Sequence, residues 1–153
     1  MLETFKIVDL PAQAVACIHI TVPATQIQTV MGPGIQELFA ALQEQGVAPT
    51  GPWFTHHSRR PTDTFDFDIC LPVAAAVKEQ GRVKSGTIPA MRAAQTVYQG
   101  AYEGLGEAWG TFIQQIADAG HRTKVDLVET YVLGPETGAP PQEWRTQLTQ
   151  PLE

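Results

Sequence analysis

Residues 98–131 read YQGAYEGLGEAWGTFIQQIADAGHRTKVDLVETY. Leu105, Trp109, Phe112, Ile113 and Ile116 recur at intervals of three and four, the period that lines one face of an α-helix. Gly120 supplies a stop, because glycine readily takes the left-handed conformation found just past a helix end. Beyond it, Leu127, Glu129 and Tyr131 alternate with Asp126, Val128 and Thr130, the two-residue period of a strand. Glu129 is the residue to explain, since it shares a strand face with Leu127 and Tyr131. If that face is enclosed, the carboxylate needs a hydrogen-bond donor, a proton or a cationic partner. If it lies on an edge strand, Glu129 is a solvated surface group and Tyr131 is half exposed.

Upstream, the same pattern recurs. A stripe of Ile27, Met31, Ile35, Leu38, Phe39 and Leu42 predicts a helix that follows Pro23, can be capped by Thr25 and ends at Gly46. Gly32, Pro33 and Gly34 interrupt it and predict a kink or two abutting pieces, because proline lacks an amide donor and clashes with the preceding turn. Gly46 and Gly120 differ by a constant offset of 74, the difference between 120 and 46. That offset also carries Met31 to Leu105, Ile35 to Trp109, Leu38 to Phe112, Phe39 to Ile113, Leu42 to Ile116 and His57 to Tyr131. An apolar face reproduced across a helix, with its stop and a following strand in register, points to an internal duplication.

The remaining strands fall on either side of these helices. Phe5 to Leu10 and residues 12–22 precede the first helix. Trp53 to His57 and Phe65 to Leu71 form a hairpin about a turn at Ser58 to Thr62. Gly81 to Thr87 and Met91 to Gln99 lead into the second helix, and Trp144 to Leu148 returns after a loop rich in Pro and Gly. The prediction is an α+β fold: a tandem, pseudo-two-fold repeat of strand, helix, strand, strand units. The repeats cover about 1–73 and 81–153 of a single domain, with antiparallel sheets and a central ligand cleft.

Composition narrows the function. The chain has 153 residues, 43% of them hydrophobic, enough for one domain with a sizeable core. Its formal charge is -6, from 16 acidic and 10 basic residues, with no Lys or Arg cluster to meet a phosphate backbone. With no helix-turn-helix segment either, no sequence-specific duplex binding is expected. Cys17 and Cys70 lie within strand patterns and read as reduced core residues of a cytoplasmic protein. No apolar run is long enough to span a bilayer. His56 and His57 are adjacent and point in opposite directions, so they form no metal pair; His57 with Asp68 across the hairpin is a weak alternative. No cofactor is implied.

The order Gly100, Tyr102, Glu103, Leu105, Trp109, Gly120, Glu129, Tyr131 and Pro135, then Trp144, Arg145, Thr146 and Pro151, resembles the second half of the GyrI-like small-molecule-binding domain. That domain is also known as the bacterial transcription activator effector-binding domain. Gly46, Gly51, Pro52, Phe54, Asp66, Leu71, Pro72 and Val73 match the first half. Gly81, Gly86, Thr87, Pro89 and Ala90 match the link between them. The resemblance implies a central pocket for hydrophobic, often cationic or planar compounds, with the family's pocket glutamate at Glu129. It also implies an effector sensor where a DNA-binding domain is attached; other members stand alone, some resembling hydrolases of electrophilic cyclopropane-containing natural products. His56 and His57 stand where an aromatic hydroxyl is frequent.

On this reading Glu129 supplies the negative end of a pocket, with Tyr131 and Trp109 beside it and Tyr98 and Phe112 as further wall. Trp53, Phe54, His56 and His57 form the opposite wall. Three functions follow. The first is a stand-alone binding protein for a hydrophobic or cationic aromatic small molecule. The second is a hydrolase in which Glu129 positions or activates water while Tyr98, Tyr131 or a histidine donates a hydrogen bond. The third is a protein-interaction role resembling gyrase modulation, with a protein partner or a homodimer.

Overall fold

The computed structural model describes the backbone of all 153 residues and every side chain except that of Gln28. Among the described residues there are eight strands and two α-helices. They are β1 (Lys6–Leu10), β2 (Gln13–Pro23), α1 (Ile27–Gln45), β3 (Phe54–His57), β4 (Thr64–Pro72), β5 (Lys84–Ile88), β6 (Met91–Gln99), α2 (Leu105–Asp118), β7 (Leu127–Leu133) and β8 (Arg145–Pro151). All strand pairs described are antiparallel. The chain is α+β, with the predicted duplication of helix and strands.

Two compact units result, Pro11–Ala90 and Met1–Leu10 together with Met91–Glu153. They differ from the sequence halves because the edge strands are exchanged. β1 pairs with β6, and β5, from the start of the second half, pairs with β2. Each exchange covers backbone donors and acceptors that would otherwise form a bare sheet edge.

In the Pro11–Ala90 unit the strands run in the order β3, β4, β2, β5. Ala16, Ile18 and Ile20 of β2 oppose Leu71, Ile69 and Phe67 of β4, and this face packs under Leu38, Ala41 and Leu42 of α1. Of the kink or two abutting pieces expected at Gly32, Pro33 and Gly34, the second does not occur, because the helix is continuous there. Gly34 lets the helix approach the sheet: a Cβ there would lie 2.9 Å from Ile69 Cδ1 and 3.3 Å from Ile20 Cδ1. Phe39 is 41% exposed rather than part of the core stripe, because it is rotated about 100° from Leu38.

The opposite sheet face of this unit carries a polar cluster beside the buried Val15, Phe54 and Cys70. His19 sits between Asp68 and Asp66, with Nδ1 and Nε2 each 2.8 Å from a carboxylate oxygen; the Asp68 hydrogen bond is the main cause of its raised pKa. Cys17 and Cys70 are direct cross-strand neighbours and free thiols, both with pKa values raised, chiefly by burial.

In the other unit the order is β1, β6, β8, β7. α2 buries Trp109, Phe112 and Ile116 on Ala94, Tyr98, Leu127 and Leu148. Both helices end as expected, Gly46 with φ 68° and Gly120 with φ 88°. Phe112 is fully buried and meets Phe5 edge to face at 6.0 Å. Truncating it removes a large apolar side chain and leaves a cavity, so Phe112→Ala is expected to cost about 3–5 kcal/mol in urea unfolding. A loss below about 1 kcal/mol would contradict a core role.

Candidate functional site

β7 sets the geometry. Its two-residue period puts Leu127, Glu129 and Tyr131 on the face covered by α2. Trp109 lies one helical turn before Phe112, and its indole Nε1–H donates to Glu129 Oε2 at 2.7 Å. Tyr131 donates its hydroxyl to Glu129 Oε1 at 2.6 Å. Each carboxylate oxygen therefore accepts a short, charge-assisted hydrogen bond. Burial is the largest influence on Glu129 and raises its pKa, while the bonds from Tyr131 and Trp109 act in the opposite direction. Glu129 makes no ion pair among the described residues.

An aromatic group continues from this carboxylate. Tyr131 meets Tyr102 edge to face at 5.9 Å, and Tyr102 meets Trp144 at 4.7 Å. Trp109 meets Phe112 at 5.8 Å. Tyr102 is carried by a short 3-10 turn, Tyr102–Gly104, that runs into α2. The site reading of the sequence missed this tyrosine. Extending the helical period of Trp109 back by two turns would have found it. Trp144 ends an irregular loop and is tied by its Nε1–H to Ala139 O at 2.9 Å, a position that no periodicity marks.

The other expected wall residues have different surroundings. Tyr98 is separated from β7 by β8, and its hydroxyl donates to Ala101 O at 2.9 Å, so it does not reach Glu129. Phe112 lies behind Trp109 in the core. Trp53, Phe54, His56 and His57 cannot form one wall, because strand alternation divides them. Thr55 and His57 face the α1 side opposite Ile69 and Phe67, whereas Phe54 and His56 oppose Cys70 and Asp68 on the other face. The same division separates His57 from Asp68, and no metal-binding cluster of three His, Cys, Asp or Glu occurs among the described residues. Trp53 is partly buried against the α1 core.

His57 holds the position in its unit that Tyr131 holds in the other. It stacks on Phe67 at 5.0 Å and pairs through Nε2 with Thr55 Oγ1 at 3.0 Å, while its buried Nδ1 has no hydrogen-bond partner among the described residues. An open groove of about 410 Å³ lies on the far side of Tyr98, lined in part by Glu107, Thr111 and Gln115. Glu129, Trp109 and Tyr131 are not among its lining residues.

Residues 3–153 match the family described as the GyrI-like small molecule binding domain. The chain belongs to the GyrI-like family. Among solved structures, this GyrI-like chain is similar to the C-terminal domain of EcmrR, with TM-score 0.87 and 23% identity over 98% of this chain and 97% of that one. In the EcmrR–DNA complex the TM-score is 0.84 at 22% identity, and the match covers 98% of this chain but only 57% of the EcmrR chain. A hydrolase from Listeria innocua has TM-score 0.71 and 14% identity, covering 97% and 91% of the two chains. SAV2435, solved bound to tetraphenylphosphonium, has TM-score 0.62 and 12% identity, covering 99% and 94%. These likenesses show a shared fold. No protein of curated function matches the sequence significantly. No helix among the described residues is long and apolar enough to cross a membrane.

The buried histidine yields a pH test. Burial, then the neighbouring His56, pushes the His57 pKa down from 6.5 to about 4. Between those values the unfolded chain binds more protons than the fold, so stability falls as pH drops through this window, by up to about 3 kcal/mol. Chemical unfolding of wild type and His57→Gln from pH 7 to pH 4 should show the two curves converging as pH falls. A difference constant with pH would mean that His57 does not titrate in this way.

Proposed function

We propose that this GyrI-like domain binds hydrophobic, cationic aromatic small molecules at the Glu129 group. The observation that carries the reading is a desolvated carboxylate held by two donors, Trp109 and Tyr131, with no cation paired to it among the described residues. Those two bonds fix the carboxylate's orientation and use one lone pair on each oxygen, which leaves acceptor capacity for a ligand. A delocalised cation gains charge pairing with Glu129 and attraction to the faces of the adjacent aromatic rings, and its weak hydration makes it cheaper to desolvate than a small ammonium ion. Phe112 supports Trp109 from behind. The tetraphenylphosphonium complex of SAV2435, a protein of the same fold, supports the choice of cation class.

Hydrolysis is the second reading, favoured by the raised pKa of Glu129, the direction that suits a general base, and by the fold shared with the Listeria innocua hydrolase. In that reading Tyr131, whose hydroxyl donates to Glu129, holds the base in position, and the Tyr98 hydroxyl is bonded to Ala101.

Glu129→Gln keeps the size and the acceptor oxygen but removes the charge. Calorimetry should show affinity for tetraphenylphosphonium falling tenfold or more, about 1.4 kcal/mol, while affinity for neutral triphenylphosphine oxide changes less. Equal losses for the two compounds would reject a counter-ion role. For the second reading, mass spectrometry of an electrophilic aromatic probe should show consumption by wild type and not by Glu129→Gln; recovery of unchanged probe from both would reject hydrolysis of it.

A further inference from the structure

The loop between β7 and β8 brings a second acid to the same aromatic group. Glu136 lies in a one-turn 3-10 segment, Pro135–Thr137, fixed by Thr137 Oγ1 donating to Gly134 O at 2.6 Å and by Gly138 N–H donating to Pro135 O at 3.0 Å. The turn folds the Glu136 carboxylate back over the Gly134 backbone. A Cβ on Gly134 would lie 2.7 Å from Glu136 Oε2, 3.2 Å from Oε1 and 2.8 Å from the Tyr102 hydroxyl oxygen. The missing side chain thus makes room for a carboxylate and a phenol side by side. Tyr102 in turn contacts Tyr131, whose hydroxyl is bonded to Glu129. Glu129, Tyr131, Tyr102 and Glu136 form a continuous sequence of acid, ring, ring, acid.

Two further facts give this arrangement a ligand. Glu136, like Glu129, makes no ion pair among the described residues, and Arg145 is directed to Glu3 at 4.0 Å. Thr146, the β8 neighbour of Tyr131 on the same face, is fully buried with its hydroxyl unpartnered among the described residues. An unpartnered buried hydroxyl is costly and calls for an occupant. The field of both acids also reaches the phenol between them: Tyr102 is pushed up to about 12, by burial first and then by Glu136 and Glu129.

We propose that Glu136 and Tyr102 form a second cation subsite, so that the preferred ligands carry two cationic groups joined by an apolar spacer, one at Glu129 and one at Glu136. Glu129 takes the first charge in desolvated surroundings and Glu136 takes the second at the exposed end, with Tyr102 and Trp144 lining the path between. The inference rests on Glu129 as counter-ion, and the experiment separates the two claims.

α,ω-Bis(pyridinium)alkanes with spacers of three to ten methylenes are titrated against N-alkylpyridinium ions of equal chain length at about 0.15 M salt, where long-range attraction between exposed charges is screened. Wild type should favour the bis-cation by about fivefold or more, with an optimum spacer length. Glu136 is exposed, so Glu136→Gln should leave the fold unchanged. It should remove most of that preference and the optimum, while changing monocation affinity less than about twofold. Glu129→Gln should weaken both ligands. If Glu136→Gln weakens both classes equally or neither, while Glu129→Gln weakens both, the second subsite is rejected and the counter-ion role of Glu129 stands. If Glu129→Gln weakens neither, both claims fall.

Discussion

A carboxylate taken out of water must find its hydrogen bonds within the protein, and Glu129 does so by joining α2 to β7. The indole of Trp109 reaches it from the helix and the hydroxyl of Tyr131 reaches it from two residues along the strand. Neither bond survives a change of register. A one-residue slip of β7 would turn Glu129 and Tyr131 to the other face of the sheet, and a rotation of α2 would carry Trp109 away. The apolar contacts of Phe112, Ile116, Leu127 and Leu148 hold both elements in place, so the core of this unit also positions the polar group. Hydrogen bonds to a charged group contribute about 1.5–3 kcal/mol each, against a desolvation penalty of several kcal/mol for an ion. The raised pKa of Glu129 gives the sign of that balance: two donors do not fully compensate the burial.

Period and direction were legible in the sequence where strands and helices are regular. The spacing of Trp109, Phe112 and Ile116 and the alternation about Glu129 place those residues correctly on facing surfaces. The adjacency of His56 and His57 likewise places them on opposite faces. What could not be read was the order of strands across the sheet. Nothing local to Tyr98 says that β8 will lie between it and β7, or that its hydroxyl will be taken by Ala101. Nor does the sequence show that β1 and β5 exchange units, since edge pairing depends on which neighbour is left uncovered. Tyr102, Glu136 and Trp144 escaped for a different reason: they stand on 3-10 turns or in an irregular loop, where side-chain direction is set by specific backbone bonds rather than by a repeating period.

The duplication shows why the charge occurs in only one of the two units. At the offset of 74 that relates the helices, Glu129 corresponds to Thr55, Tyr131 to His57 and Trp109 to Ile35. The strand pair is kept as a hydrogen-bonded couple in both places, Tyr131 with Glu129 and His57 with Thr55. The helical residue differs: Trp109 brings an N–H donor, whereas Ile35 brings none. A glutamate at position 55 would be buried beside His57, and burial already holds that histidine neutral down to a pH of about 4. Thr55, 1% exposed, needs no charge stabilisation and fits the apolar surroundings. Donor and acid are therefore present together in one unit and absent together in the other, as the electrostatics of burial requires.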